Sequence, residues 1–265
     1  MAAILWRNLA DTEFGGTVTA SSWIADAPPS RLQNPHTLRR WKGRNGAAES
    51  ILVTWDTAQT FDTIAVEKLA HVIGDTTEEL TADATRRIRV SSVDMSGLAG
   101  DIWDSGLVAG MCGCGRIVEL RPEPISGRAV LIDISESDAE AILAGRLIVG
   151  LRKTFALNFS YDWSDGYADL SRIKKSIGGQ TYIDRDDRYR VLNIPFNSVV
   201  EADFNTIVRE IDRENGLSRD VLFVIDENSD EPDRDSVWGL IKDMSPTTQP
   251  NIAYFSKRYA IEERR

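Results

Sequence analysis

The chain has 265 residues, 42% of them apolar, with 31 Lys and Arg against 41 Asp and Glu and a net charge of −10. That length supports one large or two modest domains with buried cores. The acidic balance excludes a general nucleic-acid binder, which must neutralise phosphates with clustered cations. No apolar run is long enough to span a bilayer, so membrane insertion is not expected. The opening "MAAILWRNLADTEF" lacks a basic block followed by an apolar one, so no signal peptide is expected.

Taken in chain order, the first half reads as short strands between polar turns. Residues 16–23 alternate, and residues 50–56 place Ile51, Val53 and Trp55 on one face. Residues 61–70 put Ile64, Val66 and Lys68 on a common face, and residues 86–94 do the same with Ile88, Val90 and Ser92. Two more strand patterns cover 115–123 and 127–135. Many short period-two strands with turn signals predict a β-sandwich. Residues 136–145, "ESDAEAILAG", predict one short helix or a turn that stops at Gly145.

The second half changes character. Strand patterns at 188–198, 219–226, 236–244 and 251–263 enclose one amphipathic segment. Phe204, Ile207, Val208 and Ile211 recur at helical spacing and form one apolar face. Ser198 and Glu201 have the spacing of a capping box, and Gly216 supplies the stop. Strand, helix and three strands make an α+β unit. The fold class is therefore mainly β: a sandwich over 1–148, then an α+β domain over 149–265 with one helix packed on a sheet.

Catalytic raw material is scarce. The only histidines are His36 and His71, and neither has a sequence setting that marks a triad. A glycan-active enzyme needs paired carboxylates in a cleft, which a sequence does not reveal. Cys112 and Cys114 lie in "LVAGMCGCGRIVEL" with one residue between them. A zinc site needs four ligands and a thioredoxin-like motif needs two intervening residues. A following strand, "RIVEL", rules out a phosphate loop. The expectation is a flexible glycine-rich hairpin with two free thiols.

The acidic run at 226–235 starts like a calcium loop with Asp226, Asn228 and Asp230, but Glu231 and Val237 stand where that loop needs Gly and Glu. A solvated loop is expected, with no metal and no cofactor. In "NPHTLRRWKGRNG", Arg39 and Arg40 adjoin Trp41, a combination able to contact a surface glycan. One aromatic is not a stacking platform, however, so Trp41 itself is expected to pack into the sandwich while the cations sit in water. The run "DRDDRYR" at 184–190 offers both signs of charge for fixing register between identical subunits, or serves as ordinary strand-end charge.

The stretches "TVTASSW", "PPSRLQNPHTLRRWKG", "SILVTWDTAQTFDTIAVEKL" and "VSSVDMSGLAGDIWDSGLV" resemble discoidin-like, galactose-binding-like sandwich domains of jelly-roll type. The stretches "SRIKKSIGGQTYIDRDDRYRVLNIPF", "REIDRENGLSRDVLFVID", "SVWGLIKDMSP" and "YFSKRYAIEER" resemble distal-tail-like proteins of siphophage and prophage tail tips. The resemblance implies a non-enzymatic virion component, made in the host cytoplasm, that forms a ring with copies of itself. It implies neighbours among tube, hub and fibre proteins. The alternative it leaves open is a carbohydrate-binding module that contacts the host surface.

Overall fold

The structure, a computed structural model, describes residues 1–94 and 100–264. The chain forms two compact units. One comprises Arg7–Lys153 with Val224–Ser236; the other comprises Met1–Trp6, Thr154–Phe223 and Val237–Arg265. The expected passage at 148/149 lies close to Lys153. Each unit nevertheless borrows a segment from beyond that point, so neither is a contiguous half.

In the first unit, two strands of 20 residues, Ala48–Glu67 and Arg116–Ser135, pair antiparallel along most of their length. Each joins two of the expected strands into one, and irregularities at Leu120/Ile125 and Gly127/Ala129 absorb the misfit. Their sheet runs Arg146–Gly150, Ala48–Glu67, Arg116–Ser135, Thr85–Ser91, Trp103–Asp104, with Thr17–Ala20 added to the second strand and Val108–Ala109 to the fourth. A second sheet orders Trp41–Lys42, Ala141–Ala144, Ala70–Ile73 and Thr76–Glu78. One buried cluster draws Ile51, Val53, Trp55 and Ile132 from the first sheet and Trp41 and Ile142 from the second, which makes the unit a sandwich.

Residues 136–145 correct the helical option. Glu136 to Ala139 closes a turn, and Ala141–Ala144 continues as a strand against Ala70, His71 and Val72. The strand at residues 70–73 satisfies their backbone, and Ile142 and Ala144 are buried in the sandwich core.

The other unit is built on a seven-stranded sheet: Lys153–Thr154, Ala3–Leu5, Asp220–Val224, Ser236–Met244, Phe255–Glu263, Arg188–Val199, Ser164–Asp169. Ala3–Leu5 enters this sheet although no sequence signal marks it. Residues 201–214 are helical throughout, with a π-type middle at Phe204–Val208. Ile207, Val208 and Ile211 are buried, whereas Phe204 is only half-buried and stacks on Phe255, with ring centroids 4.1 Å apart. The added residue of the π turn rotates the helix face, which is why the first member of the apolar series leaves the core.

The capping box does not form. Ser198 stays in the strand Arg188–Val199, the cap position falls on Val200, and no side chain bonds the helix start. Gly216 ends the helix as expected, in the left-handed region at φ +51°. No helix is long and apolar enough to cross a membrane among the described residues.

Candidate functional site

The basic-aromatic segment does not present an aromatic face. Trp41 is 0% exposed, and its indole N–H donates to the Ser22 carbonyl at 3.0 Å. Trp41 is thus a core residue and is removed from the candidate glycan contacts. Arg40 is half-buried, and its carbonyl accepts from Arg31 at 3.1 Å; only Arg39 stays fully exposed. The strand at 41–42 pairs with Leu143 and Ala144 in the second sheet, and the large ring joins the buried cluster of the sandwich.

The cysteine loop also departs from expectation. Cys112 and Cys114 are joined in a disulfide, so neither is a free thiol. Gly110, Gly113 and Gly115 all adopt positive φ, which lets the chain fold back over one intervening residue. The sulfur of Cys114 lies 3.6 Å from the Asp233 carbonyl oxygen.

Asp226, Asp230 and Glu231 of the acidic run are exposed, as in a solvated loop, while its last two aspartates are engaged by the protein itself. Asp233 accepts from Arg86 at 2.8 Å and from the Val118 N–H at 2.5 Å, and Asp235 accepts from the Ser229 hydroxyl. No group of three potential metal ligands assembles among the described residues. Two charges of the 184–190 run are used within the chain: Arg188 pairs with Asp169 and Arg190 with Asp165 across the neighbouring strand. His71 is fully buried, with no hydrogen-bond partner for either ring nitrogen among the described residues, and His36 is exposed in its turn.

A concave feature of the sandwich unit lies elsewhere. An open cavity of about 360 Å³ is lined by Ser21, Ala48, Glu49, Ser50, Arg87, Leu107 and Asp133, among others. Sheet register brings these together. Asp133 sits opposite Ser50 on one side and opposite Arg87 on the other, so three strands contribute a polar row. Their neighbours Ile51, Ile132 and Ile88 point into the core, which places the row on the outer face.

Glu49 is buried yet accepts from the hydroxyls of Ser21 and Ser22 and from the Asn45 N–H at 2.7 Å. It therefore fixes residues 21–22 and 44–45 at the rim. Arg87 forms a two-pronged bond with Asp104 at 3.0 and 2.6 Å. The hydrogen bond from Arg87, with further help from the Gly106 N–H, pulls the Asp104 carboxyl down to about 2, and the same pair raises the Arg87 guanidinium. Asp133 accepts from Arg89 at 2.5 Å. Leu107 stands 73% exposed on the apolar side, and Trp23, directly after Ser22, is 50% exposed.

None of these residues forms a sequence motif. Ser50, Arg87 and Asp133 are separated by dozens of positions and meet only through strand pairing. The exposed outer-face positions of the alternating strands were the available signal.

No family model matches the chain, and no curated protein matches it. Solved structures with a likeness include a Ruminococcus gnavus GH29 fucosidase in complex with fucose, at TM-score 0.42 and 15% identity. That match covers 56% of this chain and 27% of the fucosidase, so this chain spans well under two thirds of its length. Chitosan-binding module 1 of a Paenibacillus sp. IK-5 chitosanase/glucanase is similar at TM-score 0.39 and 19% identity, over 54% of this chain and 98% of the module. The family 32 carbohydrate-binding module of C. perfringens NanJ, in complex with galactose, is similar at TM-score 0.40 and 11% identity, over 58% and 100%.

Proposed function

We propose that the sandwich unit is a non-catalytic glycan-binding module whose site is the polar row Ser50, Asp133 and Arg87 with its rim at Ser21 and Leu107. The observation that carries this reading is the row itself. Hydroxyls, a carboxylate and a guanidinium stand side by side over a cavity of about 360 Å³. Sugar hydroxyls both donate and accept, and such a mixed rim can serve both roles. Leu107 and Ala48 offer apolar contact for the C–H face of a ring. The carboxylates are held as acceptors by Arg87, Arg89, Ser21 and Ser22 rather than kept free for proton transfer. Screening the full chain on a glycan array tests the reading. Binding that is lost in Arg87→Gln and Leu107→Asp supports it; no binding to any neutral or acidic glycan overturns it.

The second reading is a structural component of a tailed-phage tail tip or baseplate, located in the virion, where a ring of copies joins the tube to the host-recognition apparatus. The residue resemblance of the second half motivates it. One structural feature favours assembly: the hairpin Arg172–Lys175 and Thr181–Asp184 is exposed at every position on both strands. In that setting the glycan would belong to the host surface. Immunogold labelling of particles with an antibody to this chain tests it, and label absent from the tail end counts against it.

A further inference from the structure

The hairpin at 172–184 is a sheet of only two strands, and a hairpin alone is marginal in water. Its register pairs Arg172 with Asp184, Ile173 with Ile183, Lys174 with Tyr182 and Lys175 with Thr181. Ile173 and Ile183 therefore share one face, and they are 69% and 59% exposed. Two large apolar side chains thus stand side by side in water on one face of the hairpin.

The two edges of this sheet differ in chemistry. Strand Arg172–Lys175 carries three cations in four residues, the pattern that natural sheets use to block edge pairing. Strand Thr181–Asp184 carries no cation and presents Thr181, Tyr182 and Ile183. We infer that the open edge, Thr181–Asp184, pairs antiparallel with the same edge of a second copy of this chain to make a continuous four-stranded sheet.

Register and charge select this occupant. A two-fold axis normal to the sheet keeps each side chain on its face, so it must centre a residue on its own copy. With Ile183 opposite Ile183 of the second copy, the row Ile173, Ile183 and their two counterparts becomes continuous on one face. Tyr182 then faces Asp184 of the other copy, and Thr181 faces Arg185. No like charges meet. The same operation on the other edge fails in every register. Centring on Ile173 sets Arg172 against Lys174, and centring on Arg172, Lys174 or Lys175 sets a cation against itself. Residues 172–187 hold four basic and three acidic side chains, whereas the whole chain has net charge −10. The arm's own charge therefore does not oppose the approach of a second acidic molecule.

This inference rests on the assembly reading and is independent of the glycan site. Sedimentation of the full chain at about 50 μM, against Ile183→Lys and Lys175→Glu, tests it. The expected result is a dimer for wild type and for Lys175→Glu, and a loss of affinity of at least about tenfold for Ile183→Lys, with an unchanged melting temperature. A dimer untouched by Ile183→Lys overturns this edge while leaving assembly through another surface. A monomeric wild type overturns the inference outright and leaves the edge to a different partner. Glycan binding by Ile183→Lys should match wild type, which separates the two claims.

Discussion

Trp41 is the residue at which two readings of one segment divide. Its neighbours Arg39 and Arg40 suggest a surface site, but its indole is sealed in the core and bonded to Ser22. Sequence alternation could not decide this, because the strand at 41–42 has only two residues. Trp41→Ala should cost about 3–5 kcal/mol in denaturant unfolding, through lost transfer and a cavity, while Arg39→Ala should stay within about 0.5 kcal/mol. Asp104 gives a second test at this scale. Its folded value near 2, set mainly by Arg87, lies below the unfolded value of about 3.9. Its contribution is therefore fully present above about pH 4 and is lost as pH falls toward 2. The stability gap between wild type and Asp104→Asn should be constant at neutral pH and shrink across that acid window. A gap that stays flat to pH 2 would contradict the pairing.

At the scale of elements, strand positions were largely legible because alternation exposes one face and buries the other. Ile51, Val53 and Trp55 are buried as their spacing predicts, and the helix at 201–214 exists with Ile207, Val208 and Ile211 inside. The merging of strand pairs into 20-residue strands was not legible, since irregularities at 120–129 depend on the partner strand. The π turn was also hidden, for it preserves helical composition while shifting the face. Ile211→Ala should therefore cost about 2–5 kcal/mol, and Phe204→Ala clearly less, because Phe204 is only half-buried. Equal losses in thermal unfolding would contradict the shifted face. The disulfide at 112–114 was missed because a one-residue spacing argues against it in general; three positive-φ glycines reverse the local geometry. Its ring spans three residues, so chain-entropy reasoning assigns it only about 1.5 kcal/mol. Serine at both positions should lower the unfolding free energy by no more than about 2 kcal/mol and leave the fold intact by circular dichroism.

At the scale of the whole molecule, the expected fold class, mainly β with a sandwich and one helix in an α+β unit, matches the structure. The interleaving of the two units does not follow from local pattern. Met1–Trp6 joins the second unit through one short strand, and 224–236 joins the first partly because Asp233 meets Arg86 and Val118. Such pairings span over a hundred residues, beyond the reach of periodicity. The same holds for the candidate site, whose Ser50, Asp133 and Arg87 become neighbours only through sheet register. A surface glycan-binding role for the sandwich is the central claim, and amide chemical-shift mapping tests it most directly. On titrating the full chain with an array-positive glycan, saturable shifts should cluster at Ser21, Ser50, Arg87, Leu107 and Asp133. Shifts centred on another surface, or none at saturating glycan, would contradict the account.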